Sequence, residues 1–163
     1  VYNAGFMTGT HVLIADRQLQ PEISIDEQAL ARPFHDKGIL VYGALNIDQA
    51  RRCLRNMRQQ IGLVALDPGI AHDMAVYTHE GGMRVVQHLG KGSSGQRLYI
   101  PYVPISEDAD TNLKFIDEVQ GYDSRQVPFL PESPTEIQQS LSAGKLAIMS
   151  WVADALAQVR ALG

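Results

Sequence analysis

Gly62-Leu63-Val64-Ala65-Leu66-Asp67-Pro68-Gly69 is the stretch on which the fold turns. Its unbroken run of small and apolar residues reads as a strand buried on both faces. Asp67-Pro68-Gly69 then turns the chain away and leaves a carboxylate at the strand's C-terminal lip, where open sheets hold ligands. The competing reading is a turn aspartate that caps its own backbone. Downstream, residues 72 to 79 read as a strand and Glu80-Gly81-Gly82 as a turn, with glycine supplying positive φ. Residues 83 to 89 read as the returning strand. The expectation is an antiparallel hairpin over about 72–89.

Upstream, Thr10-His11-Val12-Leu13-Ile14-Ala15 is a strand candidate, and Gly38-Ile39-Leu40-Val41-Tyr42-Gly43 is a second one, apolar on both faces and therefore expected to be buried. Residues 18–37 read as a loop with a short helix. Asn46 is placed to cap a helix carrying Ile47, Cys53, Leu54, Met57 and Ile61 at near-helical spacing. Downstream, Pro101 and Pro104 restrict residues 97–105 to an edge strand or an extended loop. A short helix comes next over 110–119. Residues 135–162 read as one long helix with a broad apolar face and Gly144 as its soft spot. The predicted fold is α+β or α/β, with a mixed sheet containing the hairpin and packed by the long C-terminal helix. Residues 1–163 form a single domain, with 1–60 either in the same sheet or in an accessory layer.

Composition narrows the class. The chain of 163 residues is 45% hydrophobic and 20% charged, enough apolar surface to offset ordering entropy in one globular domain. Cys53 is the single cysteine, so no internal disulfide forms, which fits a reducing compartment. No apolar run approaches a bilayer-spanning length. Val1-Tyr2-Asn3-Ala4-Gly5 lacks the charged and apolar regions of a secretion signal. A cytoplasmic location without membrane partners is expected. The formal charge of −4 argues against a large nucleic-acid footprint but leaves room for a local basic patch. Arg51, Arg55 and Arg58, at i, i+4 and i+7, would form either a solvated helix face or a phosphate-facing patch.

Leu63-Val64-Ala65-Leu66-Asp67-Pro68-Gly69, then Asp73-Met74-Ala75-Val76-Tyr77, a Gly-Gly turn and Arg84-Val85-Val86, resembles the opening of RNase H-like nucleases, closest to resolvases of the RuvC type and transposon nucleases. The resemblance implies a metal-binding aspartate on the first strand, Asp67. It implies a second acid in the last helix, matched by Asp154 within Val152-Ala153-Asp154-Ala155-Leu156. It implies a middle acid at a strand end, matched by Glu107 beside Asp108. Clustered carboxylates hold hard cations, Mg²⁺ or Mn²⁺, against a scissile phosphate.

Histidines offer a second chemistry. With a three-residue turn, Met74 faces His88, and His72 lies diagonally beside it on the same face. A two-residue turn would put the histidines on opposite faces. Such a pair would serve as acid and base or as metal ligands. Cys53 sits among apolar residues within its helix and reads as core. Gly90-Lys91-Gly92-Ser93-Ser94-Gly95 lacks the Walker spacing and reads as a mobile loop, with Lys91 as a substrate contact. Three functions are thereby open: a metal-dependent phosphodiesterase or nuclease-like domain using Asp67, Glu107 and Asp154; a hydrolase or transferase centred on His72 and His88; and a non-catalytic domain for a protein partner or self-assembly.

Overall fold

The computed structural model describes residues 10–70, 81–87, 89, 99–131 and 133–162. Four parallel strands form one sheet: β1 (His11–Ala15), β2 (Leu40–Ala44), β3 (Ile61–Leu66) and β4 (Tyr102–Pro104), in the order β2-β1-β3-β4. β1 and β3 are the central pair, and their sequences are apolar on alternate residues of both faces for that reason. Val12, Ile14, Leu63, Ala65 and Val103 point into one core; Leu13, Ala15, Val64, Leu66 and Tyr102 point into the other.

Helices cover both faces. Phe34 of α1 (Arg32–Asp36), Leu141 of α5 (Pro134–Leu141) and Ile148, Met149 and Val152 of α6 (Lys145–Leu162) fill the first core. The second core takes Ile47 and Leu54 of α2 (Ile47–Asn56), Val85 and Val86 of α3 (Gly81–Val86), and Phe115 and Val119 of α4 (Ala109–Tyr122). The result is a parallel sheet wrapped on both sides by helices, an α/β arrangement. The N-terminal β1 and β2 belong to this sheet and form no separate layer.

Among the described residues the sheet is purely parallel rather than mixed, and the second arm of the hairpin expected at 72–89 is not a strand; residues 72–80 lie outside the described residues. The expected returning strand is largely the helix α3. Gly82, Val85, Val86 and Leu89 are all buried, which is a helical spacing rather than an alternating one. Gly82 serves close packing and not a strand turn: a Cβ on it would stand 2.9 Å from Pro68 Cα and 3.0 Å from the Phe115 ring. Its N–H donates to the Pro68 carbonyl at 3.1 Å, which seats α3 on the loop after β3.

Two other elements differ from expectation. The long C-terminal helix is divided at Gly144, whose φ of +97° is open to glycine and strained for other residues. The helix after Asn46 stops at Asn56, because Ile61 is drawn into β3. Its start is as read: Asn46 Oδ1 accepts from Gln49 N at 2.9 Å, and Gln49 Oε1 accepts from Leu45 N at 2.8 Å, a reciprocal cap. β4 is the last strand of the sheet, with Pro101 just before it and Pro104 as its final residue. Beyond it the chain makes an isolated parallel bridge, Tyr102 to Pro128, with Phe129 N donating to the Tyr102 carbonyl.

Candidate functional site

β1 and β3 are each followed directly by an aspartate, and the adjacency of the strands sets Asp16 beside Asp67. The backbone ladder continues through them: Asp67 N donates to Ala15 O and Asp16 N to Ala44 O, each at 2.9 Å. This places two carboxylates at the C-terminal edge of the sheet, between strands whose connections leave in opposite directions. That is the switch point at which open parallel sheets bind ligands.

The two side chains are used alike. Asp16 Oδ1 accepts from Gln18 N at 2.8 Å, and Asp67 Oδ1 accepts from Gly69 N at 2.9 Å. Each is a backbone cap two residues on, the turn role weighed for Asp67. The remaining oxygens converge on one cation: Lys145 Nζ lies 2.6 Å from Asp16 Oδ2 and 3.3 Å from Asp67 Oδ2. Gln18 Oε1 lies 3.3 Å from the same nitrogen. The 2.6 Å contact is an ion pair without hydrogen-bond alignment, so Asp16 Oδ2 has no hydrogen-bond donor.

The cluster is shielded. Asp16 is 0%, Lys145 3% and Asp67 8% exposed, which leaves Asp67 the most accessible carboxylate. Burial holds the Asp16 carboxyl above its ordinary range; Lys145 opposes this, and the neighbouring Asp67 charge adds to it. Lys145 opens α6, where the helix dipole disfavours a positive charge. Its position is therefore explained by the aspartates and not by helix stability. Two carboxylates and one ammonium leave a formal surplus of one negative charge.

Of the three acids expected to hold metal, two reach this end of the sheet. Glu107 comes after β4, and its Oε2 lies within 3.3 Å of where a Cβ on Gly144 would stand. It shares with Lys145, Gln18 and Gln28 a cavity of about 320 Å³. Asp154 does not join them. It lies nine residues beyond Lys145 on α6, roughly 13 Å along the axis, and pairs at the surface with Lys37 at 3.3 Å. Asp108 accepts from Thr111 Oγ1 at 2.7 Å at the start of α4, a contact that lowers its pKa. Among the described residues, no three His, Cys, Asp or Glu side chains form a metal cage.

His72, His88 and Lys91 lie outside the described residues. The arginine face is not continuous: Arg58 falls beyond α2 in a separate 3-10 turn and donates through Nη2 to the Leu89 carbonyl. Cys53 is half-buried, and burial pushes its thiol up to about 11, as suits a packing residue rather than a nucleophile. No helix among the described residues is long and apolar enough to cross a membrane.

Asp16 and Lys145 were not singled out from the sequence. Asp16 carried a usable signal, since Val12-Leu13-Ile14-Ala15-Asp16 has the same pattern as Leu63-Val64-Ala65-Leu66-Asp67: an apolar strand closed by an aspartate. No family model, curated protein or solved structure matches this chain.

Proposed function

We propose that this chain is a phosphoryl-accepting domain in which the Asp67 carboxylate is the acceptor. The observation that carries this reading is the convergence of Asp16 Oδ2 and Asp67 Oδ2 on Lys145 Nζ at the β1/β3 switch point. Asp67 is the nucleophile because it is the more accessible of the two acids. One of its carboxylate oxygens attacks phosphorus, the bond from phosphorus to the leaving group breaks, and that group departs with the electron pair, leaving an acyl phosphate. In the metal-free chain Lys145 offsets the charge of the two carboxylates.

The paired hard oxygens of Asp16 and Asp67 suit Mg²⁺ or Mn²⁺, which bind through one or two carboxylates together with phosphate oxygens. Such an ion supplies charge neutralisation at the incoming phosphoryl group. Phosphodiester cleavage by two metals is a poorer fit. It calls for further carboxylates, and Asp154 is paired elsewhere with Lys37. The acidic balance of the chain also disfavours a polyanionic strand.

The test is incubation with acetyl phosphate and Mg²⁺, followed by intact-mass measurement. Wild type should gain one phosphoryl group, sensitive to hydroxylamine and prevented by chelator. Asp67→Asn should gain none. A modification that persists in Asp67→Asn, or no modification in wild type, removes this reading.

A further inference from the structure

We infer that Lys145 is a tethered cation holding the metal position between Asp16 and Asp67, and that a divalent cation binds there by displacing it. The two aspartates each have one oxygen committed to a backbone N–H, so each has one oxygen left for a cation. Both of those oxygens are on Lys145 Nζ. An ammonium and a divalent ion cannot share a space bounded by contacts of 2.6 and 3.3 Å. The site is therefore closed to metal while Lys145 is in place, and its surplus negative charge favours an ion of higher charge.

The fold provides somewhere for the lysine to go. Gly144, immediately before it, has φ +97°, a backbone region that side-chain-bearing residues rarely enter. The cavity of about 320 Å³ adjoins Lys145, and Glu107 lines its wall. Glu107 thus offers a carboxylate to the displaced ammonium. The acid expected among the metal ligands receives the lysine instead.

The role of the bound ion in chemistry rests on the phosphoryl-acceptor reading, whereas the competition itself is read from metal affinity. The experiment is Mn²⁺ titration calorimetry with thermal melting on wild type, Lys145→Met, Glu107→Gln and the double variant Asp16→Asn/Lys145→Met. Lys145→Met should bind Mn²⁺ at least tenfold more tightly than wild type, and its melting temperature should rise more with the ion. The double variant should lose that gain. Glu107→Gln, a change at an exposed residue, should weaken wild-type binding severalfold. If Lys145→Met is unfolded in chelator, recovery of its helical circular dichroism on adding Mn²⁺ supports the inference, and no recovery overturns it. Equal or weaker binding by a folded Lys145→Met also overturns it. If Asp67 takes no phosphoryl group yet Lys145→Met binds more tightly, the phosphoryl reading falls and the competition stands.

Discussion

Replacing Lys145 with methionine keeps most of the side-chain volume and removes the one charge that joins the two central strands. At an effective dielectric of about 20, contacts of 2.6 and 3.3 Å are each worth roughly 5–6 kcal/mol before desolvation. Leaving the ammonium unburied returns part of that, and breaking a buried pair costs about 3–5 kcal/mol net. For a chain of this size, the melting temperature should fall by roughly 6–20 °C. The pH dependence comes from Asp16. Its carboxyl is raised by burial, so between the unfolded and the native values the native state holds a proton that the unfolded chain has released. Lowering the pH through that raised value therefore favours the native state. Loss of Lys145 removes a charge that lowers the Asp16 pKa, so the raised value climbs further. The deficit of Lys145→Met should be largest at neutral pH and should shrink on acidification, as Asp16 takes up a proton. Urea unfolding across a pH series measures this. A deficit below about 1 kcal/mol, or one unchanged from neutral to acid, would show that the three groups are not coupled as described.

Three further outcomes are expected. Gly82→Ala pushes a Cβ into Pro68 and Phe115 and should destabilise by about 1–3 kcal/mol in urea unfolding; a neutral effect would mean that α3 does not seat on the loop after β3. Asn112 is buried, accepting from Ser106 N and donating to Ser106 O and Leu141 O, so Asn112→Ala should cost about 1–3 kcal/mol or more by leaving those groups unpaired. Cys53, with its thiol pushed up to about 11, should react with a disulfide reagent far more slowly in the native chain than in denaturant at neutral pH; equal rates would contradict its packed environment.

β3 was legible as a buried strand because burial on both faces removes the need for polar alternation, but the same reading of residues 38–43 failed, since β2 is an edge strand with Leu40 exposed. The edge position of β4 was legible in Pro101 and Pro104, and the start of α2 in Asn46. The run from 83 to 89 misled because a short apolar stretch beside a Gly-Gly pair fits a hairpin as readily as a helix. What decides it is tertiary: the space under Pro68 that only a glycine fills.

Asp67 was legible as a lip residue, but its neighbours were not. Asp16 lies at the head of what reads as a loop, and its partnership with Asp67 depends on β1 and β3 pairing across 45 intervening residues between His11–Ala15 and Ile61–Leu66. Lys145 lay hidden in an apparently continuous helix. Only the break at Gly144 makes it a helix-opening residue, and only the sheet brings it to the aspartates. Asp154 illustrates the converse: a short motif supplied an acid at a plausible place in sequence, and α6 carries it to the surface beside Lys37.

Phosphoryl acceptance at Asp67 stands or falls on the intact mass of the wild-type chain after acetyl phosphate and Mg²⁺, with Asp67→Asn alongside. One hydroxylamine-sensitive phosphoryl group is expected on wild type and none on the variant. An unmodified wild type, or equal modification of both, would contradict it.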